Sequence, residues 1–157
     1  MQVQGHVGRT AASTRKQAKT ATASQRARPA VVLVEDDDDL RLVSAEVLRA
    51  AAFDVLECPN LLAAFVAVKS RVPDILLLDR ELPDGSGLDL ARWVRRRSSF
   101  DGVRVVVYSG RKTARDVEAA LAAGCDAFVG KPCSPQTLVA EIEASTAPRQ
   151  RRSGARP

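Results

Sequence analysis

Aromatic residues are scarce in this chain of 157: four Phe, one Trp and one Tyr. There is a single histidine, His6, and it sits in a segment with no sustained apolar period, so histidine-based catalysis has no scaffold to work from. The three cysteines, Cys58, Cys125 and Cys133, form no CxxC and no Cys/His ligand cluster. An odd thiol count without a secretory signal argues against a disulfide framework and for reduced thiols in a cytosol. Each cysteine is expected to be a small buried or half-buried side chain. No apolar run approaches the length of a membrane span, so the chain is expected to be soluble and cytoplasmic.

Acids are missing altogether from both ends. Residues 1–29 hold six Lys/Arg and residues 148–157 hold four, with no Asp or Glu in either. The stretch 30–147 therefore has 14 bases against all 19 acids, a charge of −5 inside a chain whose total is +5. The basic pI belongs to the ends. Segment 1–29, rich in Ala, Thr, Ser, Gln and Arg, cannot bury enough surface to offset ordering its backbone and is expected to be disordered. Its composition also resembles an organellar transit peptide, but it has no amphipathic stripe. Residues 148–157 read as a second loose basic tail.

What is present, between the tails, is one domain of ordinary size with a hydrophobic fraction fit for a core. Strand and helix signals alternate five times. Val31–Glu35 is a β-branched run, as expected of a strand buried on both faces. Asp38 or Asp39 is placed to cap a helix to about Ala51, with Leu40, Val43, Val47 and Ala50 or Ala51 on one face. Phe53–Glu57 is a weaker, outer strand, and Leu61–Lys69 a helix with Leu61, Leu62, Phe65 and Val68 at helical spacing. Pro73 resets the chain before a strand over Asp74–Leu78. Residues 82–87 are turn chemistry, followed by a helix over about Ser86–Arg96. A fourth strand, Val103–Tyr108, precedes a helix over Thr113–Ala123 that stops at Gly124, a left-handed cap. Ala127–Val129 is the fifth strand and Ser134–Ala144 the fifth helix. Five βα units with right-handed crossovers give an α/β fold, a doubly wound five-stranded parallel sheet in flavodoxin-like order 2-1-3-4-5 with helices on both faces.

Four of the apolar runs end on a chemically pointed residue: Glu35-Asp36, Asp79, Ser109 and Lys131. Residues past the carboxyl ends of parallel strands converge on one crevice. Three acids meeting there would repel one another and raise their pKa values. A Mg²⁺ ion removes that penalty, because it prefers carboxylate and water oxygens. Lys131 adds a fixed positive charge, and Ser109 can donate a hydrogen bond to a phosphoryl oxygen. Positioning and charge stabilisation are most of what phosphoryl transfer asks of a protein. Asp79, between an unbroken Ile-Leu-Leu-Leu strand and a flexible turn, is the expected nucleophile, forming an acyl phosphate.

Val-Leu-Val-Glu-Asp-Asp (32–37), Asp-Ile-Leu-Leu-Leu-Asp-Arg-Glu-Leu-Pro-Asp-Gly-Ser-Gly (74–87), Val-Val-Tyr-Ser-Gly (106–110) and Gly-Cys-Asp-Ala-Phe-Val-Gly-Lys-Pro (124–132), in order and at strand spacing, resemble a response-regulator receiver domain of two-component signalling. The resemblance spans about 30–147. It implies that Asp79 accepts phosphate from a histidine kinase or histidine phosphotransfer protein, with transfer and dephosphorylation self-catalysed and no separate enzyme activity. It implies direct Mg²⁺ ligation by Asp36 and Asp79, Glu35 acting through a coordinated water, and the Glu81 backbone carbonyl completing the set. Ser109 and Lys131 would contact phosphoryl oxygens, and the Lys131-Pro132 peptide would be cis. Phe128 occupies the aromatic switch position and turns inward when Ser109 moves. Glu81 and Arg111 flank the entry to the phosphoryl group, where an ion pair between them would hinder the attacking water.

Other patterns read more plainly. Asp37, Asp38 and Asp39 suit a solvated helix start. Gly124–Lys131 is not a P-loop, since five residues separate its glycines and Pro132 stands where Ser/Thr is required. Gly85-Ser86-Gly87 lacks the third glycine of a dinucleotide fingerprint. Trp93 is expected to be packed or half-exposed on the third helix. The expected function is a stand-alone receiver, monomeric or dimerising on phosphorylation. It would signal to a target protein through helix four, strand five and helix five, including Lys112, Arg115 and Phe128. The kinase side would dock near Leu40–Val43 and the loop after strand five. The alternative is a nucleic-acid or anionic-surface binder using the arginine tails on a receiver scaffold. A metal-dependent phosphatase or mutase is a third reading, for which no second acid or cap domain is evident.

Overall fold

The computed structural model describes residues 28–146. His6 and nearly all of both basic tails lie outside the described residues. Five parallel strands, β1 (Ala30–Val34), β2 (Asp54–Cys58), β3 (Ile75–Leu78), β6 (Arg104–Ser109) and β7 (Ala127–Gly130), form one sheet in the order β2-β1-β3-β6-β7. Counting only these strands, that is the order 2-1-3-4-5 read from the sequence. The helices are α1 (Asp38–Ala50), α2 (Leu61–Ser70), α3 (Gly87–Arg95), α4 (Ala114–Ala122) and α5 (Pro135–Thr146). Between β3 and α3 the turn-rich stretch closes into a two-stranded antiparallel ribbon, β4 (Glu81–Leu82) and β5 (Gly85–Ser86), which the turn reading did not resolve as strands. A 3-10 turn over Ser98–Phe100 was likewise not expected. Among the described residues no helix is long and apolar enough to cross a membrane.

The period-2 alternation of strand side chains splits the core in two. Val32, Val34, Leu76, Leu78, Val105 and Val107 face α2, α3 and α4. Val31, Leu33, Ile75, Leu77, Val106 and Tyr108 face α1 and α5. Each fully buried Val, Leu or Ile contributes roughly 1.5–3 kcal/mol, so β1 and β3, buried on both faces, anchor the sheet and fix its register: Val31 opposite Ile75, Val34 opposite Leu78. That register carries Glu35 and Asp79 side by side off the sheet's carboxyl edge.

Three local expectations need correction. The α1 cap is Asp37, whose carboxylate accepts from the Leu40 amide at 2.8 Å, not Asp38 or Asp39. The buried face of α1 is Ser44, Ala45 and Leu48, while Val43 is 58% exposed. Counting apolar residues favoured Val43 over Ser44. Ser44 is 2% exposed, beside Ala45 on the inward face. On α2 the inward residues are Leu61, Ala64, Ala67 and Val68, and Leu62 faces solvent. Gly124 ends the α4 region with φ 86°, in the left-handed conformation expected of it. Cys58 and Cys125 are buried and Cys133 is half-buried. Trp93 packs edge-on to Phe65, with the Arg97 guanidinium 3.9 Å from its ring centroid.

Candidate functional site

The acidic residues come from the ends of two adjacent strands. Glu35 and Asp36 follow β1, and Asp79 follows β3, its amide bonded to the Val34 carbonyl at 2.9 Å. Glu35, Asp36 and Asp79 each offer a carboxylate oxygen within 4.8 Å of the others. Asp36 is exposed, Asp79 partly so, and Glu35 is only 2% exposed. Burial pushes the Glu35 carboxyl above its ordinary range, against the opposing pull of Lys131. Three converging hard oxygen donors open to solvent on one side fit a hard divalent cation that keeps several waters.

Lys131 enters from β7. Its amide bonds the Ser109 carbonyl at 2.9 Å, which fixes where the side chain starts. Its ammonium lies 2.7 Å from Asp79 Oδ2 and also pairs with Glu35. The other carboxylate oxygen of Asp79, Oδ1, accepts from the Glu81 amide at 3.1 Å. The following Lys131-Pro132 peptide bond is cis.

Ser109 ends β6, is buried, and its Oγ lies 3.4 Å from the Arg111 amide. Phe128 is partly buried against the core on the α2–α4 side. Glu81 and Arg111 form an ion pair at 2.8 Å, both side chains well exposed. The guanidinium lowers the Glu81 carboxyl pKa. Lys112 and Arg115 are exposed at the start of α4, and Leu42 and Val43 on α1. The residues expected at the site thus come from the ends of four parallel strands: Glu35, Asp36, Asp79 and Lys131 converge, Ser109 lies at the neighbouring strand end, and Phe128 sits lower, on the core.

Several neighbours of the site were not anticipated. Arg80 pairs with Asp116 of α4. Asp116 also closes a capping box with Thr113, a pattern visible in the sequence as Thr-x-x-Asp. Asp84 at the ribbon tip caps α2, accepting from the Leu61 and Leu62 amides at 2.8 and 2.9 Å. Those bonds hold its carboxyl below the usual range. Gly87 has no room for a side chain, because a Cβ there would sit 2.0 Å from the Asp79 carbonyl oxygen. The sequence marks Gly87 only as a turn.

A family profile described as "Response regulator receiver domain" matches residues 31–143. The chain is 31% identical over 114 residues to the phosphate regulon transcriptional regulatory protein PhoB of Pseudomonas aeruginosa, covering 73% of this chain and 50% of that protein. It is 35% identical over 117 residues to the DNA-binding response regulator MtrA of Mycolicibacterium smegmatis, covering 74% of this chain and 50% of that one. The chain spans about half the length of the curated relatives it matches. A putative response regulator from Chloroflexus aurantiacus superposes with a TM-score of 0.73 at 25% identity, covering 77% of this chain and 99% of that one. The chemotaxis protein CheY4 of Vibrio cholerae superposes with a TM-score of 0.72 at 19% identity, covering 76% and 99%, a likeness of fold.

Proposed function

This chain belongs to the response-regulator receiver family, and we propose that it accepts a phosphoryl group on Asp79 and passes the signal on through protein–protein contacts. The observation that carries this reading is the ammonium of Lys131 held by the carboxylates of both Glu35 and Asp79, beside Asp36. An ammonium already at the acceptor's oxygen is placed to meet the charge that arrives with the phosphoryl group.

A carboxylate oxygen of Asp79 attacks the phosphorus of a phosphohistidine on a histidine kinase or histidine phosphotransfer protein. The new O–P bond makes an acyl phosphate as the P–N bond breaks, its electron pair returning to the histidine nitrogen. The Glu81 amide orients the Asp79 carboxylate for attack. Lys131 stays to neutralise a phosphoryl oxygen, and Ser109 turns its hydroxyl toward another, drawing Phe128 inward. Glu35, Asp36 and Asp79, with the Glu81 carbonyl, would hold Mg²⁺, which when bound neutralises charge on the phosphoryl oxygens.

In this reading the chain is a regulatory phosphoacceptor in the cytoplasm, not a turnover enzyme. The donor contacts α1 around Leu40–Val43 and the loop after β7. A downstream protein, or a second copy, reads α4, β7 and α5. Treatment with acetyl phosphate or beryllofluoride plus Mg²⁺ tests this. Amide shifts should change around residue 79 and across α4, β7 and α5, and Asp79→Asn should abolish them. An unchanged spectrum on the second surface would refute the signalling half of the proposal.

A further inference from the structure

We propose that Tyr108, the chain's single tyrosine, is a positioning residue for the phosphoacceptor site, its ring face serving as the platform that holds the Lys131 ammonium over Asp79. The inference deepens the phosphoacceptor reading and rests on it.

Lys131 has a long, flexible stem and a strongly hydrated head, so nothing intrinsic to lysine keeps it in one place. Its two carboxylate partners constrain it from one side. The Tyr108 ring is a third neighbour, with the ammonium 4.9 Å from its centroid. A cation that close to an aromatic face is attracted by the ring quadrupole, more so where water is excluded. Both groups are largely shielded: Tyr108 is 4% exposed and the Lys131 side chain 12%.

The platform is itself fixed. Tyr108 precedes Ser109 on β6, so the pleat turns its ring toward the α1–α5 side while Ser109 points the other way. The phenol hydroxyl lies 3.9 Å from Cys133 Sγ, and the ring belongs to the core cluster that holds Ala45 and Leu48 of α1 and Leu138 and Ile142 of α5. Core packing therefore holds the ring in place. A leucine or valine would fill the same core space but present no negative face to the ammonium. Packing fixes the ring, and the π face does the positioning.

Those roles separate experimentally. In the full chain, Tyr108→Phe keeps the face and should leave beryllofluoride affinity, measured with Mg²⁺, within about twofold of the parent. Tyr108→Leu removes the face and should weaken it about fivefold, the factor a single cation–π contact is worth. The ring current should also shift the Lys131 ε-methylene protons upfield in the ligand-free protein, an effect kept in Tyr108→Phe and lost in Tyr108→Leu. A general packing defect would not select that resonance. Parental affinity in Tyr108→Leu, or Lys131 methylene protons at ordinary lysine positions in the parent protein, would overturn the inference. The second reading needs no variant to fold. If the parent protein itself bound no beryllofluoride, the phosphoacceptor reading would fail, while the methylene shift would still decide whether the ring holds the lysine.

Discussion

Arg80, the residue directly after Asp79, reaches across to pair with Asp116 Oδ1 in the first turn of α4. The same carboxylate accepts from the Thr113 amide and hydroxyl through Oδ2, at 3.1 and 2.7 Å. One acid therefore caps α4 and ties it to the loop after β3. Both partners are mostly buried, at 27% and 12% side-chain exposure. Arg80→Met should destabilise the fold by about 1.5–3 kcal/mol, the contribution of hydrogen bonds to charged groups. In a double-mutant cycle with Asp116→Asn, urea unfolding should show a coupling of about 1 kcal/mol. Additive losses would mean that the pair does not link the two loops energetically.

The neighbouring pair behaves differently. Glu81 and Arg111 are exposed, so Arg111→Ala should leave stability within about 0.5 kcal/mol of the parent. If the pair screens the entry to the phosphoryl group, the same variant should lose phosphate faster after labelling. Phosphate release timed by a coupled assay checks this, and an unchanged rate would discard the screening role.

Gly87→Ala should be severe. The added methyl would meet the Asp79 carbonyl oxygen at 2.0 Å and a Leu78 methyl at 2.7 Å, and backbone cannot yield as a flexible side chain can. Overpacking of this kind costs about 3 kcal/mol. It would also displace Asp79, so on the proposed function denaturant midpoint and labelling by acetyl phosphate should fall together.

Strand order and the strand-end residues were legible because parallel strands buried on both faces write continuous apolar runs. Ile75–Leu78 is bracketed by Pro73 and the turn at 82–87, and Val31–Val34 by Pro29 and the acidic run 35–39. Helix faces were less legible. On α1 apolar spacing favours Val43, whereas the face that meets the sheet is Ser44, Ala45 and Leu48, a choice set by the angle at which the helix packs. The Arg80–Asp116 link and the steric role of Gly87 depend on which loops face each other, and no local pattern encodes that.

Buried acidic hydrogens make stability fall with alkali. Burial pushes Cys58 up to about 11 and Cys125 and Tyr108 up to about 12, from ordinary values of 9.0 for the thiols and 10.0 for the phenol. Below about pH 9 these groups are protonated whether the chain is folded or not, and they add no pH dependence. Above it the unfolded chain ionises first, so stability should drop steadily between pH 9 and about 12. Denaturant midpoints measured across that range check the slope. At neutral pH a thiol reagent should label half-buried Cys133 first and leave Cys58 and Cys125 protected until unfolding.

Borohydride trapping puts the acceptor assignment to its most direct test. Hydride reduces an aspartyl phosphate to homoserine with release of phosphate, and peptide mass spectrometry locates the converted residue. After treatment with acetyl phosphate and Mg²⁺, homoserine should appear at position 79 and nowhere else, and should vanish in Asp79→Asn or when Mg²⁺ is chelated. Conversion at a different acid, or none at 79 in folded protein, would contradict the account.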